Sequence, residues 1–112
     1  MLTIDALRAF GADVDDGLAR CMNKEDFYLR MVGKAAEVTY VDDLEAALNE
    51  GDVKKAFECA HALKGVYANL SLTPLYTPSS DLTELLRTGS MERYEPSLSA
   101  LKQKAGELKE LL

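Results

Sequence analysis

Apolar residues recur three and four positions apart along nearly the whole chain, as they do in helices that bury one face. Alternating Val, Ile and Thr runs, which would point to strands, are absent. Glycine and proline divide the chain into segments. A first short helix is predicted over Ile4 to Phe10, with Thr3 as N-cap and Gly11 as its stop. A second covers about Val14 to Met22, after Asp13. Asn23 then reads as an N-cap, with Asp26 three residues on in a loose capping box. The third helix places Phe27, Met31, Ala35 and Val38 on one face. Gly33 lies inside it at a cost of up to about 1 kcal/mol against alanine, a hint of close packing or a bend. The pattern breaks or bends at Thr39, and Val41, Leu44 and Leu48 continue it to Gly51.

Asp52 caps a helix that runs to about Leu72. Thr73-Pro74 and Thr77-Pro78 each suit an N-cap followed by proline at the first helical position. The next helix therefore starts at Pro74 or restarts at Pro78, and carries Leu82, Leu85 and Leu86 to Gly89. The last has Tyr94, Leu98, Leu101, Ala105, Leu108 and Leu112 at spacings 4-3-4-3-4, with Pro96 in its first turn or at a bend. The expected fold is all-α: an up-and-down antiparallel four-helix bundle with additional short N-terminal helices packed on one end.

A chain of 112 residues suits a single domain, residues 1–112. With 47% hydrophobic residues it can form a core, which excludes intrinsic disorder. No apolar run is long enough to span a membrane. The stretch MLTIDALRAF lacks the basic flank and apolar core of a secretory signal, so a cytoplasmic chain is expected. Whether it is a free-standing protein or one excised module is left open by the sequence, with Met1 leaning towards the former. The net charge of −6 repels phosphate backbones and argues against nucleic-acid binding. Cys21 and Cys59 make neither a disulfide framework nor a zinc set, and are read as reduced thiols. No metal site is expected.

On a helical wheel of residues 53–72, Val53, Ala56, Phe57, Ala60, Leu63, Tyr67 and Leu70 form one apolar face. The single histidine, His61, points away from it. Lys64 lies one turn on at the edge of the stripe, Gly65 follows at i+4, and Ala62 and Ala68 border the ring. Exposed helical positions usually carry Glu, Lys or Gln, and a mid-helix glycine is costly. Here bulk is removed around an imidazole, which lets another protein's surface reach it. A neutral imidazole is a competent nucleophile, and a lysine one turn away can neutralise phosphate oxygens without blocking the nitrogen. An ordinary solvated histidine is the plain alternative. Tyr28, Met31, Tyr67, Tyr76 and Tyr94 are read as core or interface filler.

The string Ala60-His61-Ala62-Leu63-Lys64-Gly65, followed by Val66-Tyr67-Ala68-Asn69-Leu70, resembles the signature of the histidine-containing phosphotransfer (HPt) domain. Gly11 to Leu18, Asn23 to Tyr28, and Leu44 to Leu48 with Glu50-Gly51-Asp52 resemble further parts of that family. The resemblance implies a phosphorelay intermediate without ATP-binding or autokinase activity. In it, His61 takes a phosphoryl group from a receiver-domain aspartyl phosphate and passes it to another receiver aspartate. Lys64 would stabilise the phosphoryl group and Gly65 would provide clearance for the partner. Receiver domains of response regulators and a hybrid histidine kinase are the implied partners of a monomeric chain. The chain would bind no cofactor, with Mg²⁺ held by the partner receiver. Relatives often orient the imidazole from the following helix. The matching position here is Thr83, with Asp81 and Glu84 nearby, and Pro78 is expected to kink that helix. Two other classes stand beside this one. A kinase dimerisation domain puts an acidic residue next to its histidine, where this chain has Ala62; a non-phosphorylated interaction bundle would not need His61.

Overall fold

The computed structural model describes residues 1–37 and 40–112. The expectations for Val38 and Thr39 lie outside the described residues. Seven helical segments occur among the described residues: α1 (Ile4–Phe10), α2 (Val14–Arg20), α3 (Glu25–Glu37), α4 (Tyr40–Glu50), α5 (Val53–Asn69), α6 (Thr73–Arg87) and α7 (Glu95–Glu110). Helix α5 packs against α4 and α6, α6 packs against α7, and α7 closes the bundle against α4 and α3. The short turns that join α4 to α5, α5 to α6 and α6 to α7 make these neighbours antiparallel. Together they form the all-α bundle expected from the periodicity. Leu44, Leu63, Leu72, Leu75, Leu82, Leu101 and Leu108 fill its core, joined by Leu7, Val14, Cys21, Tyr28 and Val32 from the N-terminal third. Lys102 bonds Glu45 at 2.6 Å and ties α7 to α4.

The helix ends follow local chemistry. Thr3 accepts from the Ala6 N–H at 3.1 Å, Gly11 stops α1 at φ +107°, and Asp52 accepts from the Lys55 N–H at 3.1 Å. Asn23 does not cap α3. Its backbone is left-handed at φ +58°, and its N–H donates to the Leu18 carbonyl at 2.7 Å, so it closes the end of α2. Nor does a threonine cap α6: Leu72 occupies the N-cap position and no side chain bonds there. Helix α6 runs unbroken through Pro78. Near the start of a helix, that proline removes only the bond its N–H would make to the Pro74 carbonyl. Pro96 lies in the first turn of α7.

Helix α3 is rotated from its predicted face. Tyr28, Val32 and Ala35 are buried, Met31 is half-buried and Phe27 is 40% exposed. Tyr28 can turn inward because its hydroxyl donates to the Leu70 carbonyl at 2.9 Å. Burial pushes that hydroxyl up to about 12, which keeps its proton on and preserves the donor. Close packing does not explain Gly33, since a Cβ there would meet nothing within 4 Å. Leu112 ends the last apolar stripe exposed, at 41%.

Three bonds from the N-terminal helices secure the turn between α5 and α6. Besides Tyr28 on Leu70, the Asp13 N–H donates to the Ser71 carbonyl at 3.0 Å, and the Ser71 hydroxyl donates to the Asp16 carboxylate. They hold Ser71 at φ +54°, a conformation that side chains disfavour.

Two predictions follow from this clamp. A Cβ on Gly17 would stand 2.6 Å from the Tyr28 ring, which is fully buried and pinned by its hydroxyl bond. Gly17→Ala should therefore destabilise by about 1–3 kcal/mol, read from the shift in denaturant midpoint. The Ser71 hydroxyl, and after it Arg20, hold the Asp16 carboxyl below its usual 3.8. The stability this gives is present above that ordinary value and is lost as pH falls through the lowered one. The advantage of wild type over Asp16→Asn should shrink as an acid-unfolding series is carried down through the carboxylate range; an advantage that does not change with pH would contradict the linkage.

Candidate functional site

The burial of α5 sets up the site. Ala56, Ala60, Leu63 and Tyr67 recur every three or four residues and are at most 2% exposed. The opposite face reaches solvent with His61, Ala62 and Gly65 exposed, and Lys64 and Ala68 half-buried beside them. A Cβ on Gly65 would meet nothing within 4 Å. Among the described residues no close packing requires this glycine, and its open space lies on the same surface as the histidine.

The imidazole is stacked on Phe57, one turn earlier on α5, with ring centroids 5.8 Å apart and planes 14° from parallel. Parallel offset rings of this kind gain roughly 0.5–1.5 kcal/mol beyond area burial. The Arg87 guanidinium of α6 lies 5.3 Å from the centre of the same Phe57 ring, a cation–π contact. Arg87 also donates twice to the Glu84 carboxylate, at 3.2 and 3.3 Å. Glu84 also pairs with Lys64, whose Nζ lies 3.7 Å from the carboxylate across the α5–α6 interface. Arg87 first, and Lys64 after it, hold the Glu84 carboxyl below its usual range, so it is ionised at neutral pH.

The three candidates for orienting the imidazole are placed differently. Thr83 is fully buried, and its hydroxyl donates to the Ser79 carbonyl at 2.7 Å, one turn back in α6. Asp81 is exposed on α6. Glu84 is taken up by Arg87 and Lys64. Among the described residues the contact made by the imidazole is with Phe57, which the wheel had counted as part of the apolar face. Arg87 was missed as well. Periodicity marks which residues face inward; it does not show that a partly buried aromatic lies i−4 from the histidine on its own face, although that spacing was present to be read.

The arrangement defines a class: a helical bundle that presents one accessible imidazole beside a single lysine and a cleared surface. Its membership is more specific. A family model of the Hpt domain matches residues 36–111, and the chain belongs to the Hpt domain family. Domains of this family are phosphotransfer intermediates of two-component phosphorelays and interact with receiver domains and kinases. The match takes in α5 to α7 and α4, and leaves α1, α2 and most of α3 outside. No curated protein and no solved structure matches the chain significantly. Among the described residues, no helix is long and apolar enough to cross a membrane.

Gly65 offers a direct check of this geometry. Because its Cβ position is empty, Gly65→Ala should stabilise the chain by up to about 1 kcal/mol through helix propensity, seen as a raised Tm. A loss of stability would mean that the glycine serves packing.

Proposed function

We propose that this chain is a phosphohistidine carrier that accepts a phosphoryl group on His61 from a receiver-domain aspartyl phosphate and passes it to another receiver aspartate. One observation carries the reading: the family's helix presents His61 to solvent with the open Gly65 position one turn away. A ring nitrogen of the neutral imidazole attacks phosphorus, the P–N bond forms, and the P–O bond to the aspartate breaks. The carboxylate leaves with the bonding electron pair. The other ring nitrogen keeps its hydrogen, so the product is a phosphoimidazolium and no proton need move. Lys64 neutralises phosphoryl oxygens during the transfer. Phe57 holds the ring plane by stacking.

In this reading Gly65, Ala62 and Ala68 leave room for the receiver's active-site rim. The Mg²⁺ that assists transfer sits on the receiver, and the chain needs neither nucleotide nor cofactor of its own. A hybrid histidine kinase, through its receiver, is the donor. We take residues 1–112 as one monomeric, cytoplasmic domain. The sharing of one core by Leu7, Val14 and Tyr28 with the bundle leucines supports the single domain.

Phosphoryl uptake from a phosphorylated receiver, compared between wild type and His61→Ala, tests the reading. An acid-labile, base-stable adduct is expected in wild type and not in the variant. Binding of the receiver without any adduct would leave a non-phosphorylated interaction bundle instead. Gly65→Gln should keep the Tm within a few degrees of wild type while lowering receiver-dependent uptake by an order of magnitude or more. Uptake from small phosphoramidate should survive in that variant.

A further inference from the structure

The charges beside His61 support an inference that rests on the carrier reading and deepens it. We infer that Glu84 is a brake on phosphohistidine stability: it holds Lys64 in an ion pair that the phosphoryl group must weaken or share.

The geometry separates an anchored contact from a yielding one. Arg87 grips Glu84 with two bonds at 3.2 and 3.3 Å, and Arg87 is itself laid over Phe57. Lys64 reaches the same carboxylate at 3.7 Å only, with its side chain 26% exposed. The lysine can therefore turn towards a dianion on His61 while Glu84 keeps Arg87 as its counter-charge. Glu84 does not leave with it. Its negative charge stays beside the phosphoryl site and opposes the dianion there, while competing for the cation that favours it. The carboxylate, more than half exposed, acts through water-screened charge, so its effect is modest. Glu84 is thus a positioning residue that acts through Lys64. It raises the tendency of phosphohistidine to hand its phosphoryl group on.

The test uses the whole chain and phosphoramidate, which needs no receiver. The P–N bond to ammonia breaks as the P–N bond to His61 forms, and ammonia leaves. ³¹P NMR at fixed phosphoramidate and ammonium concentrations reads the equilibrium fraction phosphorylated. Glu84→Gln should shift the equilibrium roughly two- to five-fold towards phosphohistidine, the scale of an exposed ion pair. The shift should shrink in high salt and be clearly smaller in a Lys64→Gln background, which a merely structural role of Glu84 would not produce. If wild type is phosphorylated but Glu84→Gln leaves its equilibrium unchanged, the brake is overturned and the carrier stands. An equal shift with and without Lys64 also overturns it. If wild type takes up no phosphoryl group from either phosphoramidate or a phosphorylated receiver, the carrier reading fails and the brake falls with it.

Discussion

Helix α5 must bury one face between α4 and α6, and the position of every functional side chain depends on that requirement. With about 100° between successive residues, burying Ala56, Ala60, Leu63 and Tyr67 leaves His61 no direction but outward. A rotation of one residue would carry the imidazole towards the core and expose Leu63, whose burial contributes about 1.5–3 kcal/mol. The apolar stripe therefore stabilises the fold and aims the histidine at once. It also offsets Gly65, which weakens the helix by up to about 1 kcal/mol at a position where, among the described residues, a Cβ would meet nothing within 4 Å.

The N-terminal helices determine how α6 meets α5. The turn at residues 70–72 is held by Asp13, Asp16 and Tyr28, and this fixes where α6 begins. Once the start is fixed, the helical repeat sets Glu84 opposite Lys64 and Arg87 over Phe57. The family match begins at residue 36, yet residues before it contribute Leu7, Val14 and Tyr28 to the same core. These residues sit far from the histidine in sequence and act on its surroundings through the turn they clamp.

Much of this was legible because it depends on periodicity and capping. The bundle, the Thr3 and Asp52 caps, the Gly11 stop and the outward His61 follow from spacing and from residues with a single local use. What the sequence hid depends on contacts between distant segments. Whether Phe27 or Tyr28 faces inward is decided by the Leu70 carbonyl, forty-two residues from Tyr28, and by the space that Gly17 leaves. Asn23 resembles a cap until its N–H is found on Leu18. Pro78 reads as a break because its cost is familiar, whereas only one bond is lost and the surrounding burial holds the helix together. In the candidate site, His61, Lys64 and Gly65 share one helix and could be read from it. Thr83 faced the core because its hydroxyl has a local acceptor at Ser79. Phe57 and Arg87 acquire their roles from side-chain stacking, which spacing does not display.

The carrier proposed here, passing a phosphoryl group between two aspartyl phosphates, would work within an energetic constraint that the site's charges bear on. Each aspartyl phosphate is an acyl phosphate with a high tendency to transfer. A histidine surrounded by freely available cations would bind the phosphoryl group so well that it became a sink, since interactions that favour the bound state alone do not speed passage onward. Lys64 and Arg87 together could supply such cations next to His61. With Glu84 between them, the local charge is reduced to +1 before any phosphoryl group arrives, and Arg87 remains committed to the carboxylate and to Phe57. In the proposed carrier, one lysine, loosely held, would be left to follow the phosphoryl group. On that proposal the combination would let the same residue lower the charge penalty of transfer without trapping what is transferred.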